Sequence, residues 1–153
     1  MIEIEQRIVV PRPVHDVYDF VITRHAENHP RWDPDVVRVE QLDPGDVRVG
    51  TRFAMGRKMM GRVQDSTLEV TECEPDRRVV MRSESRAMDI TFVNAFEEEG
   101  SATRLTFRAE AEPHGPLRVM SPFIKEQFGN GLRRSLENIR SLLEGAPIQA
   151  QEL

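Results

Sequence analysis

The chain has 153 residues and a formal net charge of −5, which suits one domain with its own core and gives no dominant basic face for nucleic acid. A single cysteine excludes an internal disulfide, and no apolar run reaches the roughly 18 residues that a membrane helix needs. Because the N-terminus has no signal-peptide pattern, we expect a cytoplasmic protein without integral membrane association.

The first part of the chain predicts a strand followed by short helices. Residues 2–10 alternate apolar and polar side chains, which indicates a strand with one buried face. Pro13 suits the first position of a helix, and apolar residues follow at helical spacing over 14–21. Pro30 opposes a long continuation, so we expect the stretch RHAENHPRWDPDV (24–36) to be an irregular turn.

The middle of the chain predicts a run of strands. In its last strand Leu105, Phe107 and Ala109 fall on one face and polar residues on the other, which indicates an antiparallel sheet with one wet face. Period-two segments separated by turn residues cover 36–42, 47–55, 62–72, 77–85, 88–98 and 103–112.

The C-terminal part changes to helical spacing. Ser121 is a suitable N-cap, apolar side chains then recur at intervals of three and four, and Gly145 is a plausible C-cap. We expect Leu136 and Ile139 on the buried stripe of this helix. The strand residues that should face them include Phe107 and Ile90.

A single amphipathic helix has to bury its apolar stripe, and the sheet offers the large apolar face. The order of elements therefore predicts an α+β fold, in which a curved antiparallel sheet of six to seven strands wraps around the C-terminal helix. We assign residues 1–145 to this domain and 146–153 to a flexible tail. Gly129 and Gly131 either widen the space between helix and sheet or kink the helix, and both alternatives stay open.

Five segments resemble the START-like helix-grip superfamily, specifically its polyketide cyclase/dehydrase and lipid-transport proteins. They are PRPVHDVYDFV (11–21), NHPRWDPDV (28–36), GTRF (50–53), GR followed by LEVTECEPDRRVVMRS (68–83), and LRRSLENIRSLLEG (132–145), and the resemblance spans nearly the whole chain. It implies a helix-grip fold with two short helices after the first strand and an apolar cavity that binds a hydrophobic small molecule. None of the segments is a catalytic signature, and a fold does not define a reaction.

The stretch 24–36 contains His25, His29 and the only tryptophan, Trp32. The zinc motif of metalloproteases is H-E-x-x-H, whereas here the glutamate stands two residues after the first histidine and no third ligand is near in sequence. We therefore expect no metal and two solvated histidines. The resembled fold places this stretch at the cavity mouth, where Trp32 either lines the rim or plugs the core.

Polar residues on the apolar face of a strand need a partner, and a ligand or a cavity water can be that partner. The structural alternative is that strand ends are wet and that bulges turn such residues outward. Together with aromatic residues near the expected cavity, the candidate ligand-binding residues are Gln6, Tyr18, Trp32, Phe53, Gln64, Ser66, Ser83, Asn94 and Phe128.

No pattern identifies catalytic residues. No spacing encodes a Ser-His-Asp triad, Cys73 lies in the acidic run ECE that disfavours a thiolate, and phosphate-binding glycine loops are missing, so we expect no cofactor. Tyr18 and His25 remain as acid–base candidates.

Three functions stay open. The sequence favours binding of a lipid-like or aromatic, polyketide-like molecule over the alternative of a metal-free polyketide cyclase, aromatase or dehydratase. A regulatory module would instead show an exposed apolar patch for a partner. Monomer and homodimer are equally compatible with the sequence.

Overall fold

The computed structural model describes residues 1–59 and 61–144, and here seven strands form one antiparallel sheet in the order β1-β7-β6-β5-β4-β3-β2. This confirms the predicted sheet. The expected Gly145 cap and the tail at 146–153 lie outside the described residues. The strands are β1 (Ile2–Val10), β2 (Val36–Gln41), β3 (Arg52–Met59), β4 (Arg62–Glu74), β5 (Arg78–Glu84), β6 (Met88–Glu99) and β7 (Ala102–Pro113).

Helical segments stand at the two ends of the sheet sequence. Between β1 and β2 the chain forms α1 (Val14–Tyr18), a π-helical turn (Asp19–Thr23) and α2 (His25–Trp32). After β7 a 3-10 turn (Gly115–Met120) leads into α3 (Ser121–Glu144). The long helix and the short helices after β1 confirm the helix-grip fold. None of the helices described in 1–59 and 61–144 is both long and apolar enough to cross a membrane.

One strand begins later than predicted. Residues 47–51 form a turn ahead of β3, in which Gly50 has a φ of 96°, a conformation that side chains other than glycine rarely adopt. Thr51 is buried, and its hydroxyl accepts a hydrogen bond from the backbone N–H of Arg48 at 3.0 Å. The alternating pattern thus continues through a turn that is held by its own polar contact.

Packing of α3 on the concave face of the sheet forms the core. Leu136 and Ile139 are fully buried and share one cluster with Phe107, as predicted. Ile90 packs instead with a second cluster under the first turns of α3, because it pairs with Ala111 at that end of the sheet.

Two side-chain amides, one buried (Asn28) and one half-buried (Asn138), attach α2 to the rest of the molecule. The side-chain amide of Asn138 on α3 donates to the backbone carbonyl of Trp32 at 2.8 Å. Asn28 on α2 donates to the carbonyl of Phe20 at 3.0 Å, inside the π-helical turn. Because each amide is matched to one backbone acceptor, the position of α2 relative to α3 is defined.

The two helix glycines do not mark a close contact between α3 and the sheet. A Cβ on Gly129 would lie 3.7 Å from Cγ2 of Ile4, which is ordinary packing distance. A Cβ on Gly131 would meet none of the described atoms within 4 Å. Space is therefore available beside Gly131.

We expect Leu136→Ala to lower the free energy of unfolding by roughly 2–5 kcal/mol, because the side chain is completely buried and leaves a void. Chemical denaturation measures this loss. Ser141→Ala, at an exposed position on the same helix, should stay within about 0.5 kcal/mol of wild type. Equal midpoints for Leu136→Ala and wild type would mean that α3 packs by another face.

Gly131→Ala should raise the free energy of unfolding by about 0.5–1 kcal/mol, since alanine favours the helix and its methyl group meets open space. The same denaturation experiment measures it. A loss of stability would show that the position needs glycine after all.

Candidate functional site

The inner face of α2 is unusually polar for a buried surface. His25, Asn28, His29 and Trp32 follow one another at intervals of three, one and three, so they share one side of the helix, and all four are buried. The expectation of an irregular turn with solvated histidines is therefore wrong. The helix continues through Pro30 although proline removes one backbone hydrogen bond, because the buried face of α2 packs against the core.

A small cavity of about 70 Å³ lies between α3, α2 and the concave face of the sheet. Its volume is below the roughly 150 Å³ of a cavity that holds benzene, and far below a typical drug-sized site. Apolar side chains that line it include Met55, Leu68, Met81, Phe92, Phe107 and Leu132. The polar side of the lining consists of His25, His29, Asp33, Arg57, Asn94, Arg108 and Ser135, next to Trp32.

A second depression, of about 870 Å³, is wider but lies open at the surface beside the β4–β5 turn. Charged residues dominate its lining, for example Arg7, Glu97 and Arg104. Such a solvated face offers little apolar contact to a hydrophobic molecule. The interior cavity is therefore the better candidate site.

His25 has a defined tautomer. Its Nδ1 lies 3.0 Å from the carbonyl oxygen of Val21, and because a carbonyl only accepts, Nδ1 carries the proton and donates it. Nε2 is then an unprotonated acceptor, and it is buried with no hydrogen-bond partner among the described residues. The ring is held edge-on against Phe53, with centroids 4.8 Å apart.

His29 is oriented by a carboxylate. Its Nε2 lies 3.8 Å from Oδ2 of Asp33, longer than a good hydrogen bond but close enough to favour the proton on Nε2. The same carboxylate oxygen accepts a hydrogen bond from Arg57 on β3 at 2.8 Å. Nδ1 of His29 is then the unprotonated nitrogen, and across residues 1–59 and 61–144 nothing donates to it.

The two imidazole rings lie side by side, with centroids 4.5 Å apart. We call His25 Nε2 and His29 Nδ1 the paired nitrogens. Leaving a buried polar atom without a partner costs about 1–3 kcal/mol, so native structures rarely keep one without a reason. Both atoms belong to residues of one cavity lining, which makes this cavity the candidate place for another molecule to bind.

Burial sets the charge state of this cluster. Desolvation lowers the pKa of His25 to about 3, with a smaller contribution from His29, and desolvation also lowers the pKa of His29. Burial alone would raise the pKa of Asp33, but the neighbouring His29 and Arg57 outweigh it and lower that pKa to about 2. At neutral pH the cavity therefore contains two neutral imidazoles beside an ionised carboxylate–guanidinium pair.

This arrangement can bind a hydrogen-bond donor and can accept a proton. A neutral imidazole whose other nitrogen faces a carboxylate is the usual form of a histidine base. In the part of the chain that the structure describes, no three His, Cys, Asp or Glu side chains are grouped so that they could hold a metal ion.

Of the predicted ligand-binding residues, Trp32 and Asn94 border the cavity. Trp32 is only 3% exposed and packs against Phe20 and His29, so it lies in the core and not on an exposed rim. Asn94 donates its amide to the backbone carbonyl of Val79 at 3.2 Å, inside the sheet.

Two aromatic candidates lie behind or away from the cavity. Phe53 packs against the ring of His25 in an edge contact. Tyr18 packs edge-on against Phe96, and its hydroxyl lies 3.5 Å from Sγ of Cys73. Burial first, and the Cys73 contact second, raise the pKa of Tyr18 above its usual range, so its proton is firmly held at neutral pH.

The other candidates are spread along the sheet and α3. Gln6 and Ser66 are half-buried, Ser83 is buried, and Phe128 packs with the second core cluster. Gln64 has the parity of Leu68 but is exposed, because β4 extends beyond the area that the helices cover. Whether any of these residues contacts a ligand stays a prediction.

Sequence reasoning missed His29, Asp33 and Arg57 as members of the site. The signal that points to His29 is the spacing of His25, His29 and Trp32 at positions i, i+4 and i+7, which places them on one helix face. Arg57 carries no comparable signal, because its contact with Asp33 depends on how β3 passes α2.

We expect the free energy of unfolding to fall as the pH is lowered from about 6.5 to 4. The lowered pKa values of His25 and His29 mean that the unfolded chain takes up protons in this range while the folded chain does not. Each buried neutral histidine contributes a slope of up to about 1.4 kcal/mol per pH unit. Denaturation at several pH values measures it.

His25→Phe should reduce the slope of the free energy of unfolding against pH. The difference between this variant and wild type gives the contribution of His25 apart from that of the exposed His15. The hydrogen bond to Asp76 raises the pKa of His15, so protonation of that histidine stabilises the fold and acts in the opposite direction. Asp33 acts in the same direction as the histidines, but only below about pH 5, because folding lowers the pKa of its carboxyl from 3.8 to about 2. A slope identical in His25→Phe and wild type would contradict a neutral, buried His25.

Known structures have the same fold at low sequence identity. A protein from Thermus thermophilus, TTHA0849, has a TM-score of 0.79 at 18% identity, covering 94% of this chain and 98% of the other. A START superfamily protein from Mycobacterium smegmatis has a TM-score of 0.78 at 14% identity, with 93% and 97% covered. The Zhui aromatase/cyclase from a Streptomyces species has a TM-score of 0.74 at 12% identity, with 94% of each chain covered.

Comparison with curated proteins finds no match. A family match extends over residues 1–144, which is nearly the whole chain and includes every element of the sheet and all of α3. The protein thus belongs to the family described as polyketide cyclase / dehydrase and lipid transport.

Proposed function

We propose that the protein binds a small hydrophobic molecule, lipid-like or aromatic and polyketide-like, between the concave face of the sheet and α3. The observation that carries this proposal is the cavity with apolar walls, whose lining includes two histidines that each have a buried nitrogen without a partner in residues 1–59 and 61–144. Apolar walls with a few convergent polar groups are typical of small-molecule sites. The description of the family, which names both lipid transport and cyclisation, supports a ligand of this kind.

Entry of such a molecule requires the cavity to open. At about 70 Å³ the cavity holds a few water molecules, whereas a single aromatic ring occupies a cavity of roughly 150 Å³. Met55 and Met81 can change rotamer at little cost, and the space beside Gly131 allows movement of side chains on α3. These features support a site that expands around its ligand.

A second candidate function is that of a cyclase- or aromatase-type enzyme acting on the bound molecule. The observation that favours it is the contact between His29, a residue of the cavity lining, and Asp33, which leaves Nδ1 of a neutral imidazole as an acceptor. A histidine in this state can remove a proton from an acidic C–H or O–H group. The aromatase/cyclase that has the same fold supports an enzymatic function by analogy of fold.

Toluene titration tests the binding proposal. Trp32 is the only tryptophan and borders the cavity, so its emission should change saturably when toluene displaces cavity water. Calorimetry in parallel gives the dissociation constant. We expect both signals to report one site.

Ser135→Leu should abolish this binding, because Ser135 is buried in the cavity lining and a larger side chain fills the space. Ser141→Leu makes the same chemical change at an exposed position of α3 and should leave binding unchanged. A wild-type protein that gives neither heat nor a change in emission up to the solubility of toluene would overturn the proposal. Undiminished binding by folded Ser135→Leu would place the site elsewhere.

A further inference from the structure

Building on the proposed function, we propose that the paired nitrogens select a neutral ligand with a hydroxyl group, a phenol or an enol, and exclude carboxylates. The hydroxyl donates its hydrogen bond to His25 Nε2 or His29 Nδ1, and the ring or chain occupies the apolar part of the cavity. This inference names the chemical class of the occupant, which neither the fold nor the family defines.

The tautomers carry the first step. Nδ1 of His25 donates to the carbonyl of Val21 at 3.0 Å, which leaves Nε2 with a lone pair. Nε2 of His29 faces Oδ2 of Asp33 at 3.8 Å, which leaves Nδ1 with a lone pair. Both paired nitrogens are thus acceptors on residues of the cavity lining, so a group that satisfies them has to be a donor.

The second step is the exclusion of anions. An ionised carboxylate only accepts hydrogen bonds, and it would meet two lone pairs in a poorly solvated space. Two guanidinium groups belong to residues of the lining, but Arg57 donates to Asp33, and Arg108 donates to Glu3 and Glu110. Their charge is already balanced by these carboxylates, so it does not offset the cost of burying an anion.

The third step concerns shape. Phe92 and Phe107 line the cavity from neighbouring strands, and Met81 adds a flexible thioether. A planar ring fits between such side chains, and sulfur–aromatic contact is favourable. The polar and apolar sides of the lining therefore match a molecule with one hydroxyl on an apolar ring.

Three probes of similar size separate the possibilities: phenol, toluene and benzoate, each titrated by calorimetry at neutral pH. A hydroxyl buried without a partner costs roughly 1–3 kcal/mol, so an apolar cavity without acceptors binds toluene about 5- to 150-fold more tightly than phenol. We expect the wild-type protein to bind phenol at least as tightly as toluene. Benzoate should show no binding at a concentration ten times the dissociation constant of phenol.

The double variant His25→Phe/His29→Phe keeps two flat rings and removes the acceptors. It should still bind toluene but lose the preference, with the ratio of phenol to toluene affinity falling by about tenfold or more. His15→Gln, at an exposed histidine on α1, should keep the wild-type ratio. If the double variant does not fold, ¹⁵N-histidine NMR of the wild type decides, since phenol should shift the signals of both paired nitrogens and toluene should shift them much less.

The outcomes distinguish this inference from the proposed function. Suppose that toluene binds, but that wild type and the double variant both disfavour phenol with the same ratio of phenol to toluene affinity. This result would overturn the selection of hydroxyls while keeping the cavity as a binding site. Binding of benzoate as tight as that of phenol would overturn the exclusion of carboxylates. Failure of both toluene and phenol to bind would overturn the proposed function and this inference together.

Discussion

Burial of one helix face constrains this molecule more than any other interaction. The apolar stripe of α3, which includes Leu136, Ile139 and Leu143, is covered by the concave face of a sheet that curves around it. A straight helix against a curved sheet does not fill all of the space between them, and α2 closes one side of what is left. The Asn138 contact with the backbone of Trp32 joins these two helices, so the cavity follows from the way that α3 is packed.

The cavity departs from the rules that the rest of the core obeys. Elsewhere, buried polar groups such as the amide of Asn28 have partners, whereas the paired nitrogens have none within the described chain. Local choices that oppose stability are expected at functional sites, because function and not folding maintains them. Binding of a donor would recover part of the free energy that folding leaves unused at His25 and His29.

Periodicity in the sequence was enough to predict the sheet and α3, because strands with one wet face and a helix with one apolar stripe repeat their pattern over many residues. It failed for α2, where Pro30 and two histidines suggest a turn, whereas the segment is a helix that packs against β2 and α3. Strand parity placed two of the candidate residues, Asn94 and Gln64, on the apolar face of their strands. Parity does not say how far the helices cover a strand, and this decides that Asn94 borders the cavity while Gln64 is exposed.

The order of strands also affects how the chain can fold during synthesis. β1 precedes the other six strands of this sheet in the chain, yet its pairing partner is β7, with Ile2 opposite Ala111, about 100 residues later. At roughly 5–20 residues per second, β1 waits about 5–20 seconds for that partner. Meanwhile β2, β3 and β4 are able to pair as hairpins, so vectorial folding starts at the opposite edge of the sheet and reaches β1 last. A strand that stays unpaired for this time leaves its backbone N–H and C=O groups free to pair wrongly, so β1 is the element of the sheet most exposed to misassembly during synthesis.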